Sequence, residues 1–409
     1  MTIRVVNFVP EELPSYRPDV DVLYSKELPK QGVHTTIFGM PLESNVDIKG
    51  QDTHLLTSKK TSNRHLDSLV YFFQSAKLAF SAKKHQFNLI QVRDMVWVGL
   101  MCLIISKLIK LPMTYWVSFL YAESRTMRAK DKNENIPKWK RPIILSRGLL
   151  EEFVIYKIIL PHAERVYVQS HFMMDYMHTK KNIPIDKMLV VPMGVDFEKI
   201  DGFSEVMAQK VEQWGNAPVV GYLGSLDRLR KLETIIDAFY QAKQSVPELK
   251  LLFVGDSEVQ MDRDFLQKYA EDLGLKDDFY ITGWIATQEA WAYLKGVDMV
   301  IGFMNRGLLL DVSTPTKAME YMALKKPMIC NDSPDQLFVV TESNCGRITD
   351  GSSESYAEAI VGLVKQPMAQ PELDRGFEFI RSQRSYECIG QMVSKDIFNV
   401  IKQDRKGML

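Results

Sequence analysis

The sequence has few cysteines, few histidines and no excess of charge of either sign. Four cysteines in 409 residues, with no C-x-x-C spacing, predict free thiols rather than disulfides or a zinc site; they are Cys102, Cys330, Cys345 and Cys388. The 51 basic and 51 acidic side chains give a formal net charge of zero. Because the molecule then has no overall field for a polyanion, we expect no nucleic-acid partner.

Long apolar runs are also missing. The longest run, 95–109, contains Ser106 and Lys107 and is shorter than the ~20 residues that span a bilayer, so it predicts a buried helix. The first residues, MTIRVVNFVP, lack the apolar segment and cleavage site typical of a signal peptide. We therefore expect a cytoplasmic protein with reduced cysteines.

Strand-like and helical segments alternate along the whole chain, which is typical of parallel sheets joined by crossover helices. The length exceeds what one core usually supports, so two domains are expected. The predicted parts are a Rossmann-like acceptor domain at 1–197, a Rossmann-like donor domain at 198–384 and a C-terminal helix at 385–409 that packs back on the first domain. The predicted strands lie at 3–9, 35–38, 89–92, 113–119, 165–169 and 189–191, and then near 218 and at 250–254, 279–282, 299–303 and 327–330.

The first stretch with chemical character is YLGSLDRLRKLETIIDAF. Gly224 lets the backbone approach a ligand, and three cations, Arg228, Arg230 and Lys231, precede a helix. Cations oppose the helix dipole at that end, so their presence favours a diphosphate site. The alternative is a glycine turn followed by a solvated first helical turn.

The second stretch is DVSTPTKAMEYMALKKPMIC. Ser313, Thr314 or Thr316 is predicted to cap a helix that has Pro315 near its start, which presents backbone N–H groups to an anion. One turn later, Glu320 offers two acceptor oxygens to a ribose diol. The alternative for Glu320 is a buried carboxylate that neighbouring backbone groups satisfy.

Together with KLLFVGDSE, YITGWI and LKGVDMVIGF, these stretches resemble the retaining glycosyltransferase family GT4, the glycosyl transferases group 1. The N-terminal half is similar more weakly, through SKELPKQG, NLIQVRD, AERVYVQS and VPMGVD. The resemblance implies the GT-B fold, an α/β architecture in which two Rossmann-like, doubly wound domains face a central cleft and a C-terminal helix crosses back to the first domain.

The resemblance also implies residue roles. Arg230, with Lys231 beside it, would neutralise the diphosphate of the donor during catalysis, Glu320 would hold the ribose, and Gly283-Trp284-Ile285 would receive the nucleobase. The implied donor-binding set is Gly224, Ser225, Arg228, Gly255, Asp256, Trp284, Ile285, Thr314, Pro315, Thr316, Lys317 and Glu320.

Several positions depart from the family pattern. Val312 replaces the first motif glutamate, with Asp311 next to it, and Ser225 replaces an arginine that often follows the first glycine. In the first domain, EELPSYRPDV replaces a Gly-Gly loop, and TYWVSFLYAE replaces a segment with a histidine. The residues expected at the cleft from these two segments are Tyr16, Arg17, Ser118 and Glu123.

The resulting hypothesis is a metal-independent hexosyltransferase without cofactor that acts in polysaccharide or glycan synthesis. It would move a sugar from a nucleotide-sugar donor, UDP-sugar favoured and GDP-sugar next, to a carbohydrate or lipid-linked saccharide. The alternatives are a catalytically silent relative that serves as a nucleotide-binding or partner scaffold, and a nucleotide-sugar epimerase. Asp19 and Asp21 are assigned to a helix start rather than to a metal.

A basic stretch, RTMRAKDKNENIPKWKRPIILSRG, adds an expectation about location. Its cations flank an aromatic residue and an apolar run, which is the composition of a segment that rests on an anionic membrane. The alternative is a solvated loop. Peripheral contact at the inner face of the plasma membrane is therefore expected through Arg125, Arg128, Lys130, Lys132, Lys138, Trp139, Lys140 and Arg141.

Overall fold

The computed structural model of the chain describes residues 2–15, 17–41, 54–61, 63–132, 134, 136–203 and 208–407. It divides into an N-terminal unit, residues 1–194 with 386–409, and a C-terminal unit, residues 195–385. These borders lie within three residues of the predicted ones at 197/198 and 384/385. In the described part of the chain, no helix has the length and apolarity needed to cross a membrane.

The N-terminal unit is built on a seven-stranded parallel sheet with the order β3-β2-β1-β4-β5-β6-β7. About six strands were expected, and the additional one is β3, a short edge strand that pairs only with β2 in the described sheet. Its four residues give little alternation to detect. The strands are β1 Ile3–Leu13, β2 Val33–Pro41, β3 His54–Thr57, β4 Leu89–Arg93, β5 Met113–Val117, β6 Arg165–Val168 and β7 Met188–Val190.

Helices connect these strands, as parallel pairing requires. They are α1 Pro18–Val22, α2 Leu28–Lys30, α3 Arg64–Phe80, α4 Val96–Ile109, α5 Tyr121–Lys130, α6 Arg141–Phe153, α7 Leu160–His162 and α8 His171–Lys181, with π-helical turns at Leu23–Glu27 and Val154–Ile159 and a 3-10 turn at Ile185–Lys187.

The prediction that 95–109 is a buried helix is correct for only one face of α4. Val98, Cys102 and Ile105 are buried, whereas the side chains of Ile104 and Leu108 are 55% and 68% exposed. An apolar run carries no signal that separates a face packed on the sheet from a face left at the surface.

The C-terminal unit is built on a six-stranded parallel sheet with the order β10-β9-β8-β11-β12-β13. The short strand β13 was not predicted, again because three residues carry no period. The strands are β8 Val219–Leu223, β9 Lys250–Val254, β10 Phe279–Ile281, β11 Met299–Gly302, β12 Met328–Asn331 and β13 Arg347–Thr349. The strand order reverses between β8 and β11, which makes their carboxyl ends the expected ligand position.

The helices of this unit are α9 Phe197–Gly202, α10 Glu233–Lys243, α11 Gln260–Asp272, α12 Thr287–Gly296, α13 Leu308–Asp311, α14 Thr316–Ala323, α15 Pro334–Ser343, α16 Ser353–Lys365 and α17 Gln370–Gln383, with 3-10 turns at Glu212–Trp214 and Arg228–Arg230. Together with the sheet they enclose one hydrophobic core, in which Ile236, Phe253 and Ile301 are fully buried.

The last helix, α18 Tyr386–Gly407, belongs to the N-terminal unit. Its buried residues Ile389, Val393 and Ile397 form one core with residues of β1 and of the 18–30 helical segment. The three recur at spacings of four residues, so they lie along one side of the helix and explain its amphipathic sequence.

Candidate functional site

The turns that follow β8 and β9 lie against each other at the carboxyl ends of the C-terminal sheet. Gly224 has a φ of +150° and Gly255 a φ of +135°. A Cβ at Gly255 would lie 2.1 Å from the carbonyl oxygen of Gly224. No other residue type fits such an approach, so both predicted glycines are required by the backbone itself.

Lys317 crosses this glycine turn from α14. A Cβ added at Gly224 would lie 1.8 Å from Lys317 Nζ. The same Nζ is 3.5 Å from the hydroxyl oxygen of Tyr222 and 5.1 Å from the centroid of its ring. Burial and the positive charge of Arg230 lower the pKa of Lys317 to about 7, against the opposing effect of Glu320 and Asp227.

Arg230 approaches the same turn from the 3-10 segment after β8. Its Nε donates to Ser225 Oγ at 2.8 Å and lies 3.6 Å from an Asp227 carboxylate oxygen. Burial raises the pKa of Tyr222 to about 12, while Arg230 acts in the opposite direction. Arg230 and Lys317, which we call the turn cation pair, therefore form one cluster with Tyr222.

Tyr222 was not among the predicted site residues. In VVGYL it occupies an ordinary position of a buried strand, and it is 1% exposed. Only the neighbouring helix and turn bring two cations to its ring and hydroxyl, so no local signal could have identified it.

The other two predicted cations point elsewhere. The Arg228 guanidinium lies over the ring of Phe265, and its backbone N–H donates to Asp262 Oδ2 at 3.0 Å. Lys231 adopts a left-handed backbone with φ +53°, and its side chain is exposed. Of the three cations in this stretch, Arg230 is the one that joins Lys317.

None of the three predicted capping residues occupies the N-cap position of α14. The helix begins at Thr316 with Pro315 at that position, and the proline makes no side-chain cap bond. Proline fixes the backbone entry to the helix and has no N–H. The first-turn N–H groups still lack partners within the helix, as at every α-helix start.

Glu320 lies one turn into α14, beside the turn cation pair. Burial raises the pKa of its carboxyl, with a partial offset from Trp291 and Lys317. Trp291 belongs to α12 and is itself 5% exposed. A carboxylate with few compensating charges is suited to accept hydroxyl hydrogen bonds from a ligand.

The remaining donor-side predictions lie on neighbouring loops. Asp256 Oδ2 accepts from Arg263 Nη1 at 2.9 Å. Gly283 forms a bridge with Gly255, which places the loop after β10 beside the glycine turn. On that loop Trp284 is 63% exposed, and Ile285 packs against the core.

Position 312 departs from the family pattern in structure as well as in sequence. Val312 is fully buried. The adjacent Asp311 is paired with Arg306, whose Nε lies 2.9 Å from Asp311 Oδ1 and whose Nη1 lies 2.7 Å from Asp332 Oδ1. The carboxylate closest in sequence to the missing glutamate is thus held by an arginine.

The N-terminal sheet carries a different charged cluster at the ends of β1, β4 and β5, which we call the strand-end charge cluster: Glu11, Arg17, Asp19, Arg93, Asp94 and Ser118. Arg93 Nη2 lies 2.6 Å from Asp19 Oδ2. Asp94 Oδ1 accepts from the Ser118 N–H at 2.8 Å. Arg17 pairs with Asp19 at 3.1 Å.

Arg93 is the centre of this cluster, with a side chain that is 0% exposed. It stacks on Trp116, 4.9 Å from the ring centroid. Burial raises the pKa of Asp94, although Arg93 acts to lower it. For Asp19 the pKa is lowered, because Arg93 and Arg17 together outweigh the effect of burial. Sequence reasoning missed Arg93 and Asp94, although a charged pair directly after the apolar strand in NLIQVRD was a usable signal.

The predicted first-domain residues are thus divided. Arg17 and Ser118 belong to the strand-end charge cluster, and Tyr16 lies outside the described residues. Glu123 lies apart from them in the same unit, where it accepts from the Tyr156 hydroxyl at 2.7 Å and pairs with Lys181 at 3.1 Å. No group of three or more potential metal ligands occurs in the described ranges.

Residues 204–376 match the family model of the glycosyl transferases group 1. The match lies in the C-terminal unit and covers less than half of the chain, and it identifies that unit as a group 1 glycosyltransferase domain. Among known proteins, the alpha-monoglucosyldiacylglycerol synthase of Streptococcus pneumoniae is 21% identical over 389 residues, which cover 90% of this chain and 81% of that protein. A GDP-mannose-dependent alpha-(1-6)-phosphatidylinositol monomannoside mannosyltransferase of Mycobacterium tuberculosis is 26% identical over 186 residues, 44% of this chain and 48% of that protein.

Solved structures establish the fold of the chain. HepE of Anabaena in complex with UDP superposes with a TM-score of 0.69 at 15% identity, covering 98% of this chain and 100% of that one. Sucrose-phosphate synthase of Thermosynechococcus elongatus gives 0.70 at 15% identity, with the same coverage. Two parallel sheets with flanking helices and these neighbours identify the GT-B fold.

Arg93 is predicted to be essential for the stability of the N-terminal unit. Arg93→Ala leaves the buried carboxylates of Asp19 and Asp94 without their main countercharge, so we expect a loss of about 3–5 kcal/mol. Thermal unfolding of the full-length protein measures it. Lys107→Ala, which removes an exposed partner of Glu164, is the control and should cost less than about 1 kcal/mol. Equal melting temperatures for the two variants would contradict the prediction.

Proposed function

We propose that this group 1 glycosyltransferase transfers a sugar from a nucleoside diphosphate sugar, UDP-sugar first and GDP-sugar second, to a lipid-linked or glycolipid acceptor. Retention at the anomeric carbon and independence from metal are parts of the proposal. The observation that carries it is the turn cation pair: Arg230 and Lys317 lie at a glycine turn beside a helix start, at the point where the strand order reverses.

The chemistry follows from where negative charge develops. When the bond between the anomeric carbon and the diphosphate breaks, the leaving group gains negative charge, and fixed cations stabilise it. Arg230 and Lys317 would supply that charge, together with the first-turn N–H groups of α14. Glu320 would accept hydrogen bonds from the ribose hydroxyls. The acceptor hydroxyl oxygen then bonds to the anomeric carbon and loses its proton.

The names of similar proteins support the choice of substrates. HepE of Anabaena was solved with UDP and with UDP-glucose, which favours a uridine donor. The two curated relatives are named for a diacylglycerol glycolipid and a phosphatidylinositol mannoside, which favours an acceptor with a lipid part. The mycobacterial relative is GDP-mannose-dependent, so GDP-sugar remains the second donor.

A scaffold without catalysis is the second candidate function. The buried Val312 and the pairing of Asp311 with Arg306 favour it, because a contact to the donor sugar would then be missing. The turn cation pair argues against it. Two neighbouring cations repel each other, and an anionic ligand would explain why the fold holds them together, whereas a scaffold role would not.

The direct test is thermal unfolding with a panel of UDP, GDP and ADP and their sugars, without added metal. A ligand that binds only the folded state raises the melting temperature, and a ligand at 100 times its Kd adds about 2.7 kcal/mol. We expect a rise with a UDP-sugar that EDTA leaves unchanged. No response to any nucleotide, or a response that EDTA abolishes, would contradict the proposal.

Arg230→Ala is expected to lower kcat about 10²–10³-fold, because one fixed donor to the developing charge is lost. Transfer of radiolabelled sugar to an extracted lipid acceptor measures the rate. Arg375→Ala, an exposed arginine on α17, is the control and should retain activity. Wild-type turnover in Arg230→Ala would show that the charge assignment is wrong.

We also propose that the N-terminal unit binds an anionic bilayer through α6. This helix buries Gly148 and Glu151 and exposes its apolar residues: Ile143 is 61% exposed, and Leu149, Leu150 and Phe153 are 50%, 50% and 57% exposed. Trp139, at 68%, precedes it. An apolar exposed face with basic residues nearby is the composition of an interfacial helix.

The basic residues of this region divide into two groups. Arg125 contacts Glu151, Arg128 pairs with Glu134 at 3.0 Å, and Arg141 donates to backbone carbonyls, including that of Glu134 at 2.8 Å. These contacts fix the loop shape. The exposed lysines remain for lipid headgroups, at about 1 kcal/mol each near the surface; they are Lys130, Lys132, Lys138 and Lys140.

The Leu149→Glu/Leu150→Glu variant is expected to lose at least tenfold in vesicle affinity, because two carboxylates replace the apolar contact. Co-sedimentation with phosphatidylglycerol-containing vesicles measures it. Leu337→Glu, at an exposed apolar position of the C-terminal unit, is the control and should bind as wild type. Equal binding of all three proteins would rule out α6 as the membrane surface.

A further inference from the structure

The resemblance includes Lys317 among the donor-binding residues, and two features of the structure give it a more specific role. At the position where an arginine often follows the first glycine, this chain has Ser225, and the Ser225 hydroxyl accepts from Arg230. The space above the glycine turn is occupied instead by a lysine from another element, α14. A cation has therefore been supplied from a helix that is distant in sequence.

The surroundings of Lys317 are unusual for an ammonium group. Among the described residues, no carboxylate lies within ion-pair distance of its Nζ, which is 3.5 Å from the Tyr222 hydroxyl. The charged groups that act on it are Arg230 and Asp227 from the segment after β8 and Glu320 from its own helix. Burial and repulsion from Arg230 lower the pKa of Lys317 by more than the attraction of the two carboxylates raises it.

We propose that Lys317 is the second cation of the diphosphate site in place of an arginine at position 225, and that it takes up a proton when a nucleoside diphosphate binds. This inference rests on the proposed function. A diphosphate placed over Gly224 would give Lys317 the anion that it lacks, while Arg230 would share that anion instead of repelling the ammonium. Binding then restores the ordinary basicity of the lysine.

The direction of the pH dependence follows from linkage. Below the free-state pKa of about 7, Lys317 is charged both with and without ligand, so affinity does not change with pH. Above it, only the bound form is charged, and affinity falls as pH rises. Between pH 7.5 and pH 9.0 the expected loss is about twentyfold. The uracil ring of UDP also begins to lose a proton at the upper end of this range, so the change that belongs to Lys317 is the part that is absent from a variant without this lysine.

The experiment is isothermal titration of the full-length protein with UDP, and with GDP, at pH 7.5 and 9.0 in two buffers of different ionisation enthalpy. We expect uptake of about one proton per UDP bound near pH 8.5, and about twentyfold weaker binding at pH 9.0 than at pH 7.5. The matched variant Lys317→Met keeps the length of the side chain without its charge. It should bind at least tenfold more weakly at pH 7.5, with no proton uptake.

Folding of the variant is not in question. The pKa of Lys317 is lower in the folded than in the unfolded chain, so its protonation opposes folding at neutral pH, and this cost is relieved as pH rises from about 7 towards the ordinary lysine value. Lys317→Met should therefore melt at or above the wild-type temperature at pH 7.5. A lysine with a merely structural role would lower the melting temperature when replaced and leave proton uptake unchanged.

A second variant tests the exchange of positions. Ser225→Arg in the Lys317→Met background should recover UDP affinity at least threefold over Lys317→Met and should show no pH dependence, because arginine stays charged. If the single and double variants bind UDP with equal affinity, Lys317 does not take the place of an arginine at position 225. If Lys317→Met still takes up a proton on binding, Lys317 is not the group that is protonated. Absence of UDP and GDP binding to the wild type would instead refute the proposed function itself.

Discussion

Two cations that repel each other, Arg230 and Lys317, are the constraint around which the C-terminal unit is organised. The backbone requires a glycine at 224, where φ is +150°, and the missing Cβ leaves the space that the ammonium of Lys317 occupies. It requires a second glycine at 255, since the next turn lies against the first. Tyr222 lies beneath the two cations. A repulsion built into a folded protein is stable only if the rest of the unit supports it, and the large core around β8, β9 and β11 does so.

The N-terminal unit also has charged residues at its strand ends, but there the opposite charges neutralise each other. There Arg93 is surrounded by Asp19, Glu11 and Asp94, and its charge is compensated within the protein. Such a closed cluster fixes the positions of β1, β4 and β5 but leaves little charge for a ligand. The turn cation pair has less compensation of this kind, which is why we propose anion binding for the C-terminal unit and a structural role for the strand-end charge cluster.

The exposed apolar face of α6 is not explained by packing in a hydrophobic core. A helix that buries Gly148 and Glu151 while exposing leucine and phenylalanine is inverted relative to an ordinary surface helix. This inverted helix gives the N-terminal unit an exposed apolar face, which is the surface that we propose for a membrane. The proposed anion site belongs to the other unit.

Local sequence determined the alternation of strands and helices, the two glycine turns and the group 1 family, because period, turn chemistry and motif order are properties of neighbouring residues. It also determined that Arg230 and Glu320 follow strand ends. Only the tertiary structure decided that Lys317 joins Arg230 while Arg228 turns to Phe265, that Tyr222 lies beneath the cations, and that Arg93 holds the ends of three strands. The short strands β3 and β13 have the same explanation. Each depends on contacts between residues far apart in the chain, and such contacts leave no period or motif in the sequence.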